Sequence, residues 1–342
     1  MTCAICDRSI GKNQGFFMRR ARLVFFGEVH KRIYIYIQPD IASDAATASS
    51  TGTASTQQNY FNIRDAFFDY ALTEDKGIRL RTGISKVPYG FDNLQSSSIR
   101  PALDRTDAIN SAAPNERDIG VVLLYSSPEA RQNFADLTKN NLKGTGDYGT
   151  FAFGAFNGQT LNRPEKNNDL HRVLRMTYPF KLKNGQFIET SLQAYENKFN
   201  ASDNNDYYDA RQAATFIFYP QPLGLQLEYN ECQGPEYDPV QKKIRSRHLK
   251  GGYAQLNYQH YVSDHRFLPY IRYQEYDGGK KLETGAPMNK VREWEAGTEW
   301  QPIPNFELTV AYAISDRTTQ SSLTNRSHEK GQLLRFQAQF NY

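Results

Sequence analysis

Apolar and polar residues alternate with a period of two through almost the whole 342-residue chain, a pattern that commits it to β-strands with two unlike faces. In the stretch from Ile33 to Gln38, Ile33, Ile35 and Ile37 share one face, and Tyr34, Tyr36 and Gln38 share the other. Leu223, Leu225, Leu227 and Tyr229 alternate with Gly224, Gln226 and Glu228. Phe306, Leu308, Val310, Tyr312 and Ile314 alternate with Glu307, Thr309, Ala311 and Ala313. The chain ends with Leu334, Phe336, Ala338, Phe340 and Tyr342 facing away from Arg335, Gln337, Gln339 and Asn341. A soluble sandwich also alternates, so the connections must choose between architectures.

About fifteen strand-like segments are visible, many near the ~9–11 residues of a tilted membrane strand. They begin near Phe16, Val29, Tyr60, Gly77, Asp118, Tyr148, His171, Gln186, Asp209, Leu223, Lys250, Phe267, Val291, Asn305 and Gln332. Tight turns are expected at Gly27-Glu28, Glu74–Gly77, Lys183–Gly185, Pro220–Pro222, Ser263-Asp264 and Pro302–Pro304. Between them fall polar loops at 41–58, 89–117, 158–169, 198–206, 231–248, 276–290 and 316–331. Short turns at one end and long loops at the other are the pattern of outer-membrane barrels, with the turns periplasmic. The segment 128–147 breaks it, being long where a short turn is due, and Pro128-Glu129-Ala130-Arg131 predicts a short helix there. The Ser/Thr/Ala-rich stretch 42–58 reads as a surface loop, not an interdomain linker.

Composition agrees. Mean hydropathy is −0.69 and no apolar run approaches the ~18 residues of a membrane helix, which excludes transmembrane helices but not a barrel with a polar lumen. The expected fold is therefore all-β: a transmembrane antiparallel up-and-down β-barrel. Lys and Arg total 41 against 37 Asp and Glu, so bulk charge gives no sign of a nucleic-acid partner. Cys3 and Cys6 have redox or half-zinc spacing, but no second pair or nearby His completes a metal site. The six histidines are scattered, and neither a Gly-x-Ser-x-Gly elbow nor a His-Glu-x-x-His pair is present. No enzyme activity and no cofactor are expected.

Alternation places Arg20 and Arg22 opposite Ala21, Leu23 and Phe25, and Arg79 and Arg81 opposite Ile78 and Leu80. Arg175, Arg272 and Arg335 likewise face away from apolar neighbours. A charge on the lipid face costs ~2–4 kcal/mol at the midplane, so these arginines belong in the lumen. There a guanidinium stays charged and replaces part of the hydration an anion loses at a constriction. The plainer reading is of wall arginines paired with Asp and Glu of neighbouring strands. Glu293, Glu295 and Glu299 should also face inward and locally neutralise the field. Arg19 fits the alternation poorly, which suggests a bulge or a subunit contact.

Two stretches resemble the phosphate-selective porin O and P family of Gram-negative outer membranes. One is Phe17-Met18-Arg19-Arg20-Ala21-Arg22-Leu23 followed by the Ile33–Gln38 strand. The other runs from Thr82-Gly83-Ile84-Ser85-Lys86-Val87-Pro88-Tyr89-Gly90-Phe91-Asp92 through Gln95-Ser96-Ser97-Ser98 to Ala102-Leu103-Asp104-Arg105. The resemblance implies a 16-stranded, trimeric barrel whose third loop folds inward and narrows the channel. It implies further that Arg19 and Arg20 match paired arginines near the constriction, and Ser96 and Ser97 the serines of the inward loop. Phosphate-binding members carry a lysine after those serines, where this chain has Ser98, with Arg100 two residues on. Arg100 and Arg105, in the same loop, complete the candidate anion site.

The expected function is thus an outer-membrane porin, a passive channel for small hydrophilic solutes with anion, even phosphate, preference. Its partners are small anions, outer-membrane lipid and two further copies in a homotrimer. The alternative is a non-conducting barrel used as an adhesin or complex scaffold. Residues 1–15 read as irregular or non-native and 16–342 as the barrel. Both termini of such barrels lie in the periplasm. A first strand running down to a turn at Gly27-Glu28 leaves a preceding strand unaccounted for. Residues 1–14 have neither the alternation nor the length to supply it, and no signal peptide precedes them. The reading is of a truncated or wrongly extended porin with a gap between its first and last strands.

Overall fold

A computed structural model describes residues 16, 18–43, 59–110, 117–161 and 163–341. Among them are seventeen strands, and every pairing between them is antiparallel. The first six are β1 (Ala21–Arg22), β2 (Phe25–His30), β3 (Ile33–Ser43), β4 (Asn59–Ala71), β5 (Ile78–Lys86) and β6 (Arg117–Tyr125). Next come β7 (Phe151–Phe156), β8 (His171–Lys181), β9 (Phe187–Asn200), β10 (Asp206–Phe218), β11 (Leu223–Asp238) and β12 (Lys243–Tyr258). The last are β13 (His260–Val262), β14 (His265–Gly279), β15 (Met288–Ile303), β16 (Phe306–Gln320) and β17 (Arg326–Phe340). Because β1 and β2 both pair with β3, and β12 and β13 both with β14, they occupy fifteen positions around the wall.

The break between β1 and β2 has a local cause. Arg22 pairs with Asp40 and Phe25 with Ile37, so the gap falls opposite Gln38 and Pro39. Proline lacks the N–H that a ladder needs, and the β3–β4 register shifts at the same place. The first strand therefore begins at Ala21, not near Phe16. Its turn lies at Lys31-Arg32, not Gly27-Glu28, because Gly27 continues the strand opposite Ile35. The other tight turns fall where the sequence places them, with Pro302 and Ile303 absorbed into β15.

At the opposite end, much of the expected loop at 198–206, 231–248, 276–290 and 316–331 is strand. In β11 and β12, sixteen residues each, the hairpin closes only at 239–242. At the far end of β11, residues 234–238 are buried on both faces, with the Tyr237 N–H donating to the Ala286 carbonyl of the neighbouring loop at 2.7 Å, so no alternation marks them as strand and they read as loop. The inward segment is described over residues 87–110, and Arg117 and Asp118 open β6.

Burial follows the alternation. On β8, His171, Val173, Arg175 and Thr177 are buried while Arg172, Leu174 and Met176 are exposed. The polar face is the covered one, as in a barrel whose lumen is filled by its own loops and whose outer face meets lipid. Two insertions do the filling. From the long-loop end comes the 87–110 segment with α1 (Phe91–Leu94) and α2 (Asp107–Asn110). From the short-turn end comes the 126–150 segment with α3 (Pro128–Lys139), which opens where the sequence predicts, with Ser127 Oγ accepting from the Ala130 N–H and Pro128 at its first turn. No helix among the described residues is long and apolar enough to cross a membrane.

Among the described residues β17 pairs only with β16, and β1 and β2 only with β3, so no ladder joins the first strand to the last. Residues 1–15, with Cys3 and Cys6, lie outside the described residues, as does most of the 42–58 loop.

Candidate functional site

The inward loop is anchored on the far wall by its apolar residues. Tyr89 and Ile109 pack with Val122, Phe156, Val173 and Tyr195 of β6–β9. Tyr89 Oη donates to Asn230 Oδ1 at 2.8 Å. Gly90 is required here: its φ is +78, and a Cβ would stand 2.8 Å from Ile109 Cδ1 and 3.1 Å from Glu228 Oε1. Asp92 clamps the two limbs of the loop by accepting from the Thr106 N–H at 2.6 Å and hydroxyl at 3.0 Å.

Two of the candidate arginines act as staples within this loop. Arg105 donates to the carbonyls of Asp92, Asn93 and Gln95 at 3.1, 3.3 and 3.4 Å. Arg100 donates to those of Ala102 and Leu103 at 2.9 and 3.0 Å. Asp92 offsets part of this charge, lying 3.7 Å from Arg100 Nη1. Burial pushes the Arg105 pKa well down, and Arg100 and Arg117 add to the effect. Arg100 Nη1 is a buried donor with no hydrogen-bond partner among the described residues.

From the opposite wall, Arg22 donates to Ser97 Oγ at 2.8 Å and to Asp40 at 3.0 Å. Ser96 and Ser98 hydroxyls lie 2.9 Å apart beside it. Arg19 turns inward, not to a subunit contact: it reaches Gln337 on β17 at 2.8 Å and Asp104 at 2.5 Å. Asp104 is the hub of this corner, since Arg335 also pairs with its carboxylate and Arg272 donates to its carbonyl at 2.8 Å. Burial alone would raise the Asp104 carboxyl, but the Arg335 and Arg19 guanidinia outweigh it and hold it well below the usual carboxylate range. Arg20 has no acidic partner among the described residues; Arg19, Arg22, Arg100 and Arg105 all bear on it as like charges.

The structure thus brings together Arg19, Arg20, Arg22, Ser96, Ser97, Ser98, Arg100 and Arg105, with Arg272 and Arg335 at the margin. Arg81 and Arg79 lie farther down the same wall. Arg81 forms a two-pronged pair with Asp69 at 2.7 and 2.8 Å and sits 4.0 Å over the Phe67 ring. Arg79 meets Asp147 at 2.7 Å. Arg175 stands apart, paired with Glu189 at 3.1 Å. For Arg79, Arg81, Arg175 and Arg272 the plain reading of paired wall arginines describes the contacts. The inward glutamates are paired as well: Glu293 with Arg317 at 2.7 Å, Glu295 with Arg272 at 3.3 Å and Glu299 with Lys143 at 2.6 Å.

Three cations of this wall escaped the sequence reading. Arg64 lies at the bulge opposite Pro39, where Ile63 pairs with Pro39 and Asp65 with Gln38, so both Arg64 and Asp65 turn inward and alternation fails. Arg117, grouped with the loop, opens β6 and grips Asp65 at 2.9 and 3.0 Å. Lys86 donates to the Leu94 carbonyl at 2.5 Å. Cations outnumber carboxylates along this side, which leaves a positive wall facing the inward loop.

The family model for phosphate-selective porin O and P matches residues 5–211 and 205–342 of the chain. No curated protein matches it. Among solved structures it is similar to OmpF of Salmonella typhi in complex with daunomycin, with 16% identity over 94% of this chain and 89% of that one and a TM-score of 0.58. It is also similar to the outer-membrane channel DcaP of Acinetobacter baumannii, with 14% identity over 94% and 84% and a TM-score of 0.55.

Proposed function

The chain belongs to the phosphate-selective porin O and P family, and from that premise we propose that its arginine wall gives small anions preference through the pore. It is an outer-membrane porin, a passive diffusion channel for small hydrophilic solutes. The observation that carries anion preference is Arg20, uncompensated by any carboxylate among the described residues and ringed by Arg19, Arg22, Arg100 and Arg105. An anion entering this corner meets guanidinium donors and the Ser96–Ser98 hydroxyls, which stand in for its lost hydration. Paired arginines below it, at Arg117, Arg81 and Arg79, continue the path with weaker net charge. Ser98, in place of a lysine, argues for general anion preference over strict phosphate selection.

The barrel unit is residues 16–342, and the assembly is a homotrimer whose outward Phe and Tyr residues meet lipid and neighbouring copies. A monodisperse monomer by mass in mild detergent would count against the trimer. Current recording in planar bilayers tests the channel: steady steps in triplets are expected. Well-folded protein that inserts without current would instead support a scaffold barrel.

A further inference from the structure

The 126–150 insertion connects β6 to β7, yet its tip contacts the opposite side of the barrel. Lys143, whose side chain is 0% exposed, places Nζ 2.6 and 2.9 Å from the two Glu299 oxygens on β15 and 3.9 Å from Glu307 on β16. Asn141 Nδ2 donates to Gln301 on β15 at 3.1 Å, and its carbonyl accepts from Arg266 on β14 at 3.0 Å. Midway, Phe134, Leu137 and Leu142 pack with Phe187, Ile217 and Tyr219 of the wall and with Phe91 of the inward loop. The Lys143 carbonyl also accepts from Gln95 Nε2 at 2.7 Å, so the two insertions meet inside the barrel. Lys143 holds a φ of +68, a region that such a side chain rarely enters without surrounding contacts, while Asn141 at +51 is the left-handed residue that closes α3.

We propose that residues 140–148 form a crossbar over the periplasmic mouth, latched by Lys143 to Glu299, which sets the channel's size limit and masks the acidic wall. The inference rests on the channel reading. A crossbar leaves ions only the space on either side of it, so conductance is limited here as well as at the inward loop. Without the Lys143 ammonium, Glu299 keeps Arg266 at 3.2 Å but loses its nearer counter-charge, and Glu307 loses the cation 3.9 Å away, so the net charge of this wall turns negative and draws cations.

The test compares full-length wild type with Lys143→Met, Lys143→Arg and Glu299→Gln in planar bilayers, with polyethylene glycols of graded size as exclusion probes. Lys143→Met should raise single-channel conductance by about 1.5-fold or more, admit larger polymer and shift the reversal potential toward cations. Glu299→Gln should enlarge the pore without that shift, and Lys143→Arg should stay near wild type. If Lys143→Met does not fold, Glu299→Gln carries the size readout alone. Wild-type current with unchanged conductance and polymer cut-off in the folded variants overturns the crossbar. Absence of wild-type current overturns the channel reading itself, and the crossbar with it.

Discussion

At the scale of single residues, the charges that matter are those whose partners fail to cancel them. Replacing Arg20 and Arg22 by Ala should lower the anion-to-cation permeability ratio by about threefold, a modest effect because exposed charges in a wet pore are screened over ~8–10 Å. An unmoved ratio would show that this wall does not face the ion path. Asp104 works in the other direction, tying down Arg19 and Arg335. Asp104→Asn should therefore raise anion preference. Because the carboxyl is held below its ordinary range, its ion pairs are fully present above about pH 4 and are lost only as pH falls through the lower folded value. The difference between Asp104→Asn and wild type should accordingly persist at pH 5; convergence there would contradict the depressed carboxyl. The paired arginines were legible from alternation, since strand period alone decides that Arg81 and Arg175 turn away from lipid. Arg64 was not, because a single extra residue at a bulge inverts the period, and the partners of Arg100 and Arg105 depend on loop closure that no local pattern encodes.

At the scale of elements, the strands were readable wherever lipid on one side forced alternation, and misread as loops where both faces are covered alike, as at residues 234–238 of the β11–β12 hairpin. The kinked first strand shows a second limit. Pro39 sits on β3 but breaks the ladder of its neighbour, so the cause lies across the pair and not in the broken strand. Gly83 on β5 is a sharper case. Its φ is +123, and an added Cβ would stand 2.3 Å from the Ala66 carbonyl oxygen and 2.9 Å from Phe67 Cα. Both atoms are backbone of β4 and cannot swing aside. Gly83→Ala should lower barrel stability by about 2 kcal/mol or more, read as an earlier urea midpoint in the loss of the folded, heat-modifiable gel band. An unchanged midpoint would show that β4 and β5 are not packed this closely. The helix α3 was signalled by Pro128-Glu129-Ala130-Arg131, but the docking of the segment that follows it was not, because Lys143 and Glu299 are 156 residues apart.

At the scale of the whole molecule, an antiparallel wall with apolar residues outward and two insertions inward makes a narrow conduit with a positive side. The barrel wall follows from alternation and turn length; the polarity of the conduit follows from which carboxylates reach which arginines, and only the folded chain shows that. The central claim is that this conduit passes small solutes and favours anions. Its most direct test is the reversal potential of the wild-type protein in a planar bilayer under a potassium chloride gradient. A potential of the sign set by chloride, reduced as salt is raised on both sides, is the expected result. A potential set by potassium would contradict it.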